Sequence, residues 1–245
     1  MPRSLTRGRE AEVGRTRARY RVSWPWQLWC GLLAIPVVLC GLLIVTKAWA
    51  AAFWLGLIFF VFAFLPIALH LRGFQVAITD RAVLTGHVSK RYWTSVMPLE
   101  HLDPTTVRIW SNIGATASAL EVPKMLAGTL HTAWSHSGVS FYSDREWEMK
   151  TDGPLVENDF SRAGCGNMTM FALRRPRRFV NELGRALAPF HGGADPIPPI
   201  ARTPQRLSGR PNSLEEEMPG YATSPKKRGE HGDDSVPPGG LLAPR

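Results

Sequence analysis

Between Trp24 and Leu71 the chain carries a single formally charged residue, Lys47, and it stands almost at the centre of the block. Few features constrain folding more. As one helix the block would run about 72 Å at 1.5 Å per residue, more than twice the hydrocarbon thickness of a bilayer. Split at Thr46-Lys47 it becomes two segments, 28–46 and 48–69, each about the length of one crossing. Trp24, Trp26 and Trp29 mark one end of the pair, and Trp49 and Trp54 mark the other. Amphipathic indoles favour the headgroup level. The block 24–71 therefore reads as a two-helix transmembrane hairpin. A cleaved signal peptide fits poorly, because the block is too long and no small-residue cleavage site follows it. Pro36 and Pro66 read as kinks tolerated within a helix pair. Neither span has a charge near its middle, so nothing marks a proton relay or ion path, and the hairpin reads as an anchor.

Charge outside the block sets the expected orientation. Of the net +9, seven arginines (Arg3, Arg7, Arg9, Arg15, Arg17, Arg19, Arg21) precede the apolar residues, while Arg72 and Arg81 follow them. The positive-inside rule then places both termini in the cytoplasm and the turn outside. Residues 1–23 read as a basic cytoplasmic arm that determines topology. The three cysteines, two of them (Cys30, Cys40) in the apolar block, make no disulfide framework.

Only residues 72–188 show the mixed pattern of a globular fold. Phe74, Val76 and Ile78 alternate with Gln75, Ala77 and Thr79, the signature of a half-buried strand. Thr79-Asp80-Arg81 reads as a turn, 82–85 as a return strand and 86–91 as a loop. Residues 93–99, 107–110, 139–142 and 168–173 follow as further strands, with 147–150 a weaker one, and 111–135 has no clear pattern. After Pro176, Phe179, Val180, Leu183 and Leu187 share one face and polar residues the other, which predicts an amphipathic helix opening on proline. Antiparallel strands closed by one helix make an α+β domain or a capped barrel. From His191 onward 18 of 55 residues are Pro or Gly, so 189–245 is expected to be a disordered tail.

The stretch ITDRAVLTGHVSKRYWTSVMPLEHL, directly after the hairpin, resembles the bacterial pleckstrin-homology-like (bPH) membrane proteins. Thr79-Asp80-Arg81 matches that family's turn between its first two strands, and 97–102 (MPLEHL) its following strand. GCGNMTMFALRRPRRFVNEL, residues 164–183, is similar to the closing turn, strand and helix. The resemblance covers about 24–188. It implies a PH-like β-barrel or sandwich capped by a C-terminal helix, held at a bacterial inner membrane. It implies little about activity, since fold does not dictate function.

Motifs for chemistry are sparse. His131 and His136 are five apart with no third ligand at a persuasive distance, so no metal is expected. Ser135, Ser137 and Ser140 lie outside any nucleophile-elbow pattern, and Gly164-Cys165-Gly166 precedes a strand rather than a helix, as a phosphate loop would not. Neither a cofactor nor nucleic-acid binding is expected. The candidate contacts for lipid headgroups or a partner are Lys90 and Arg91, beside Tyr92-Trp93, together with Arg174, Arg175, Arg177 and Arg178. The expected function is a non-enzymatic module that binds anionic headgroups or other membrane proteins at the inner leaflet. The alternative is an assembly factor acting through the hairpin.

Overall fold

The computed structural model describes residues 5–6, 8–89, 92, 94–119, 135, 137–150, 153–157 and 167–206. Two apolar helices, Trp26–Val45 and Trp49–Arg72, are long and apolar enough to cross a membrane. At 1.5 Å per residue the first spans about 30 Å, the thickness of a hydrocarbon core. They lie against each other as a hairpin: Trp29 meets Phe64 edge-on at 5.9 Å, and Cys40 Sγ lies 3.4 Å from the Ala52 carbonyl. Thr46 Oγ1 donates to the carbonyls of Leu42 and Leu43, satisfying groups that the helix end leaves open. Lys47 then turns the chain with φ 62°, the one positive-φ residue other than glycine among the described residues. In the second helix a π-helical stretch, Phe60–Phe64, comes immediately before the turn that contains Pro66. Proline cannot donate the next i→i−4 bond, and a π turn absorbs the mismatch.

The second helix runs on to Arg72, three residues past its expected end, so only Gly73 separates it from the sheet. That sheet has six antiparallel strands in the order β1-β2-β3-β4-β7-β8. They are β1 (Thr16–Arg21), β2 (Phe74–Thr79), β3 (Ala82–His87), β4 (Thr94–Pro98), β7 (Trp147–Met149) and β8 (Leu155–Glu157). A 3₁₀ turn, Leu99–His101, carries the chain into a second sheet ordered β10-β5-β6-β9. Its strands are β5 (Leu102–Trp110), β6 (Gly138–Ser143), β9 (Asn167–Ala172) and β10 (Pro204–Gln205), the last parallel to β5. A bridge between Val22 and Leu173, with Ser23 N–H donating to Ala172 O at 2.9 Å, fastens the two sheets at a second corner. The turn at Thr79 is held by its own hydroxyl, which accepts from Ala82 N–H at 2.9 Å.

Period two decides what each face of the large sheet touches. Val76, Ile78, Val83 and Met97 face inward onto Val107, Ile109, Val139, Phe141 and Phe171. The C-terminal helix Pro176–Leu187 adds Phe179, Val180, Leu183 and Leu187 to this core. Their neighbours Ala77, Ala82, Leu84, Val96 and Met149 face outward, yet are buried beneath Leu5 and Val13. Both faces of the sheet are thus covered.

That covering changes the reading of both termini. The arm expected over 1–23 contributes a buried cap, with Leu5 and Val13 each 1 % exposed, and then an edge strand, β1, paired with β2. Part of the expected tail is also ordered. Ile197 and Ala201 sit in the core, Arg202 pairs with Asp195 and bonds to Ile197 O at 3.0 Å, and Gln205 O accepts from Ser111 N–H at 2.8 Å. The chain from 207 onward lies outside the described residues. Within 111–135 a short helix, Ile113–Ala119, forms, and 120–134 is outside the description.

Candidate functional site

Strand β1 reads TRARYR, and its exposure alternates in step. Ala18 and Tyr20 turn inward, and Tyr20 packs edge-on against Phe179 at 5.2 Å. Arg17, Arg19 and Arg21 turn outward. The strand ends at the Val22–Leu173 bridge, and the residues after Leu173 are Arg174 and Arg175, with Arg178 one turn into the helix. The second apolar helix delivers Arg72 to the same place, because Gly73 and Phe74 follow it and Val22 N–H donates to Phe74 O.

These side chains line one open groove of about 1200 Å³. Among the described residues its wall holds seven arginines (Arg17, Arg19, Arg21, Arg72, Arg174, Arg175, Arg178), with Glu182 as the one acid. Trp24 and Trp29 border it at the start of the first apolar helix. Trp24 Nε1 donates to Leu71 O at 2.9 Å, which ties the entry of one apolar helix to the exit of the other.

Few of these charges are spoken for. Arg17 pairs with Asp80 at 2.5 Å and reaches Arg185 O at 3.4 Å. Glu182 is bound to Arg185 at 3.0 Å. The guanidinium groups of Arg21, Arg72, Arg174, Arg175 and Arg178 have no ion pair with a described residue. Tyr20 OH donates to Arg178 O at 3.3 Å, and burial, reinforced by Glu182, pushes its phenol above the usual range against the opposing pull of Arg178 and Arg185. Five cations with no ion-pair partner among the described residues repel each other in one groove, and an anion placed among them relieves that repulsion. Guanidinium groups suit phosphate in particular, offering two parallel donors to two oxygens.

Of the residues singled out from sequence, Arg174, Arg175 and Arg178 meet in this groove, and exposed Arg177 is not among its lining residues. Lys90 and Arg91 lie outside the described residues, as do His131 and His136. Ser140 accepts from the buried indole of Trp110 at 2.7 Å, and Ser137 donates to Leu173 O at 2.8 Å, so both serve the fold. Among the described residues no group of three or more His, Cys, Asp or Glu could hold a metal ion. Sequence reasoning missed Arg17, Arg19, Arg21 and Arg72 as members of one site. The alternation in TRARYR was the available signal.

Outside the groove, the surroundings of Glu146 disfavour its charged form. Burial raises its pKa, the neighbouring charge of Glu148 adds to the rise, and a hydrogen bond from the Ser95 hydroxyl opposes it. For an acid with a raised folded pKa, the folded chain keeps a proton that the unfolded chain has already released. Stability therefore falls as pH rises from the ordinary glutamate value through the raised one, and the cost is complete above it. Glu146→Gln should accordingly raise the unfolding midpoint at neutral pH. The difference should vanish in acid, below the ordinary glutamate range, as thermal unfolding across pH would show.

No family model, no curated protein and no solved structure matches this chain. What the fold and site define is a class: two apolar helices of membrane-spanning length joined to an α+β domain, with an arginine groove where the two parts meet.

Proposed function

We propose that this chain is an integral membrane protein, anchored by its hairpin with both termini in the cytoplasm of a bacterial cell. Its PH-like domain is a non-enzymatic module that binds anionic lipid headgroups at the inner leaflet. The observation that carries this reading is the position of the groove. Its cations stand beside the first turn of one apolar helix and the last residue of the other, bordered by two tryptophans. With the helices in a bilayer, that is headgroup level.

The test is retention of lipid by the full chain. Protein extracted in mild detergent from a membrane containing acidic phospholipid should keep that lipid in native mass spectrometry. Each cation near an anionic surface contributes about 1 kcal/mol, so Arg21→Ala, Arg174→Ala and Arg175→Ala together should weaken retention roughly a hundredfold. All three side chains are exposed, so the unfolding midpoint should stay put. Undiminished retention in the triple variant would remove the groove from the account.

A further inference from the structure

We infer that the occupant of the groove is a membrane lipid carrying two phosphate groups, and this rests on the headgroup reading above. The chemistry of counting leads there. Among the described residues, five guanidinium groups, those of Arg21, Arg72, Arg174, Arg175 and Arg178, have no carboxylate partner, and the one acid lining the groove is held by Arg185. One phosphodiester brings one negative charge and two free oxygens, enough for one bidentate arginine or two single contacts. It leaves most of the groove's charge uncompensated. Two phosphates double both the charge and the acceptors, setting four oxygens and two negative charges among the five guanidinium groups.

Size and shape agree. The groove, at about 1200 Å³, exceeds the roughly 300–1,000 Å³ of ordinary small-molecule pockets. Its cations arrive from three directions: Arg21 from the edge strand, Arg72 from the end of an apolar helix, and Arg174, Arg175 and Arg178 from the start of the C-terminal helix. Such a spread suits two anionic centres a few ångströms apart better than one. A lipid is the favoured source over a free diphosphate because Trp24 and Trp29 border the groove where the apolar helices meet the domain. A lipid in the leaflet reaches that point without leaving the bilayer, and its acyl chains remain beside the helices.

The experiment uses the full chain in nanodiscs of zwitterionic lipid doped with one acidic lipid at a time, at equal total charge. The probes are phosphatidylglycerol (one phosphodiester), phosphatidic acid (one phosphomonoester) and cardiolipin (two phosphodiesters), with inorganic pyrophosphate as the free competitor. Native mass spectrometry after release should show one cardiolipin per chain, retained about tenfold better than either single-phosphate lipid. Arg72→Gln should bring that ratio close to one without abolishing retention of single-phosphate lipids. Equal retention of all three lipids would overturn the two-phosphate inference and leave the headgroup reading standing. Retention of none would overturn both. Displacement of cardiolipin by micromolar pyrophosphate would overturn the lipid assignment, since a soluble diphosphate would then be the better ligand.

Discussion

Phe179→Ala should destabilise the domain by about 3–5 kcal/mol, the usual cost of emptying a buried aromatic site. The side chain is wholly buried, and it joins elements that are far apart in sequence. Its ring meets Tyr20 of β1 edge-on at 5.2 Å and Phe171 of β9 at 5.2 Å, and lies parallel to Phe141 of β6 at 6.4 Å. Aromatic pairs in such geometry add about 0.5–1.5 kcal/mol each beyond their area. Because Tyr20 shares β1 with Arg17, Arg19 and Arg21, the cavity left by the ring should also loosen the groove wall. Denaturant titration of the full chain in micelles gives the first number, and acidic-lipid retention gives the second. Phe179→Leu should cost much less and keep the groove. A loss below 1 kcal/mol for the alanine variant would mean that the helix does not close this core.

The parts of the fold that were legible in the sequence carry their pattern locally. In the C-terminal helix the buried residues Phe179, Val180, Leu183 and Leu187 repeat at helical spacing behind a proline, and the helix runs Pro176–Leu187. Strands β2, β3, β4, β6 and β9 have apolar residues enough to announce themselves, and the apolar hairpin needs nothing but length. Strand β1 is the opposite case. Its half-buried positions are Thr16, Ala18 and Tyr20, its outward ones are arginines, and most of its apparent character is charge. What makes it a strand is β2, some sixty residues away, whose open edge it pairs along its whole length.

The same physics hid the ordered start of the tail. Residues 195–205 contain four prolines and no periodicity, so composition argues for disorder. They are fixed instead by isolated long-range contacts. Ile197 and Ala201 enter the core, Asp195 and Arg202 hold each other, and Gln205 O is bonded by both the backbone N–H and the hydroxyl of Ser111. The groove was the least legible feature, because its arginines come from 17–21, 72 and 174–178, and no local window contains them together. Read one cluster at a time, each looks like a solvated face or a topology signal.

The joint between the apolar helices and the domain should prove equally intolerant of change. Gly73 is its one-residue link, and its backbone, at φ −73° and ψ −18°, is open to any amino acid. Space is what forbids a side chain. A Cβ there would lie 2.0 Å from Nε2 of His87 and 2.6 Å from two of its ring carbons. That ring has little freedom to withdraw. It is stacked on His70 at 4.6 Å, flanked by Phe74 at 5.1 Å and Tyr92 at 4.9 Å, and is 7 % exposed. Ser89 N–H donates to its Nδ1 at 3.0 Å, so Nε2 carries the proton and donates to His70 O at 2.9 Å. Gly73→Ala must push this ring out of both bonds, and overpacking together with a lost hydrogen bond should cost about 2–4 kcal/mol. Arg72 is the preceding residue, so retention of acidic lipid should fall as well. The second variant, Gly73→Ala with His87→Ala, gives the new methyl group the room that the imidazole occupied. Its loss of stability should fall short of the sum of the single losses by about 1–3 kcal/mol, a coupling that residues in direct contact show and distant ones do not. Strict additivity in that cycle would mean that Gly73 and His87 do not touch, and that the helix meets the sheet through some other contact.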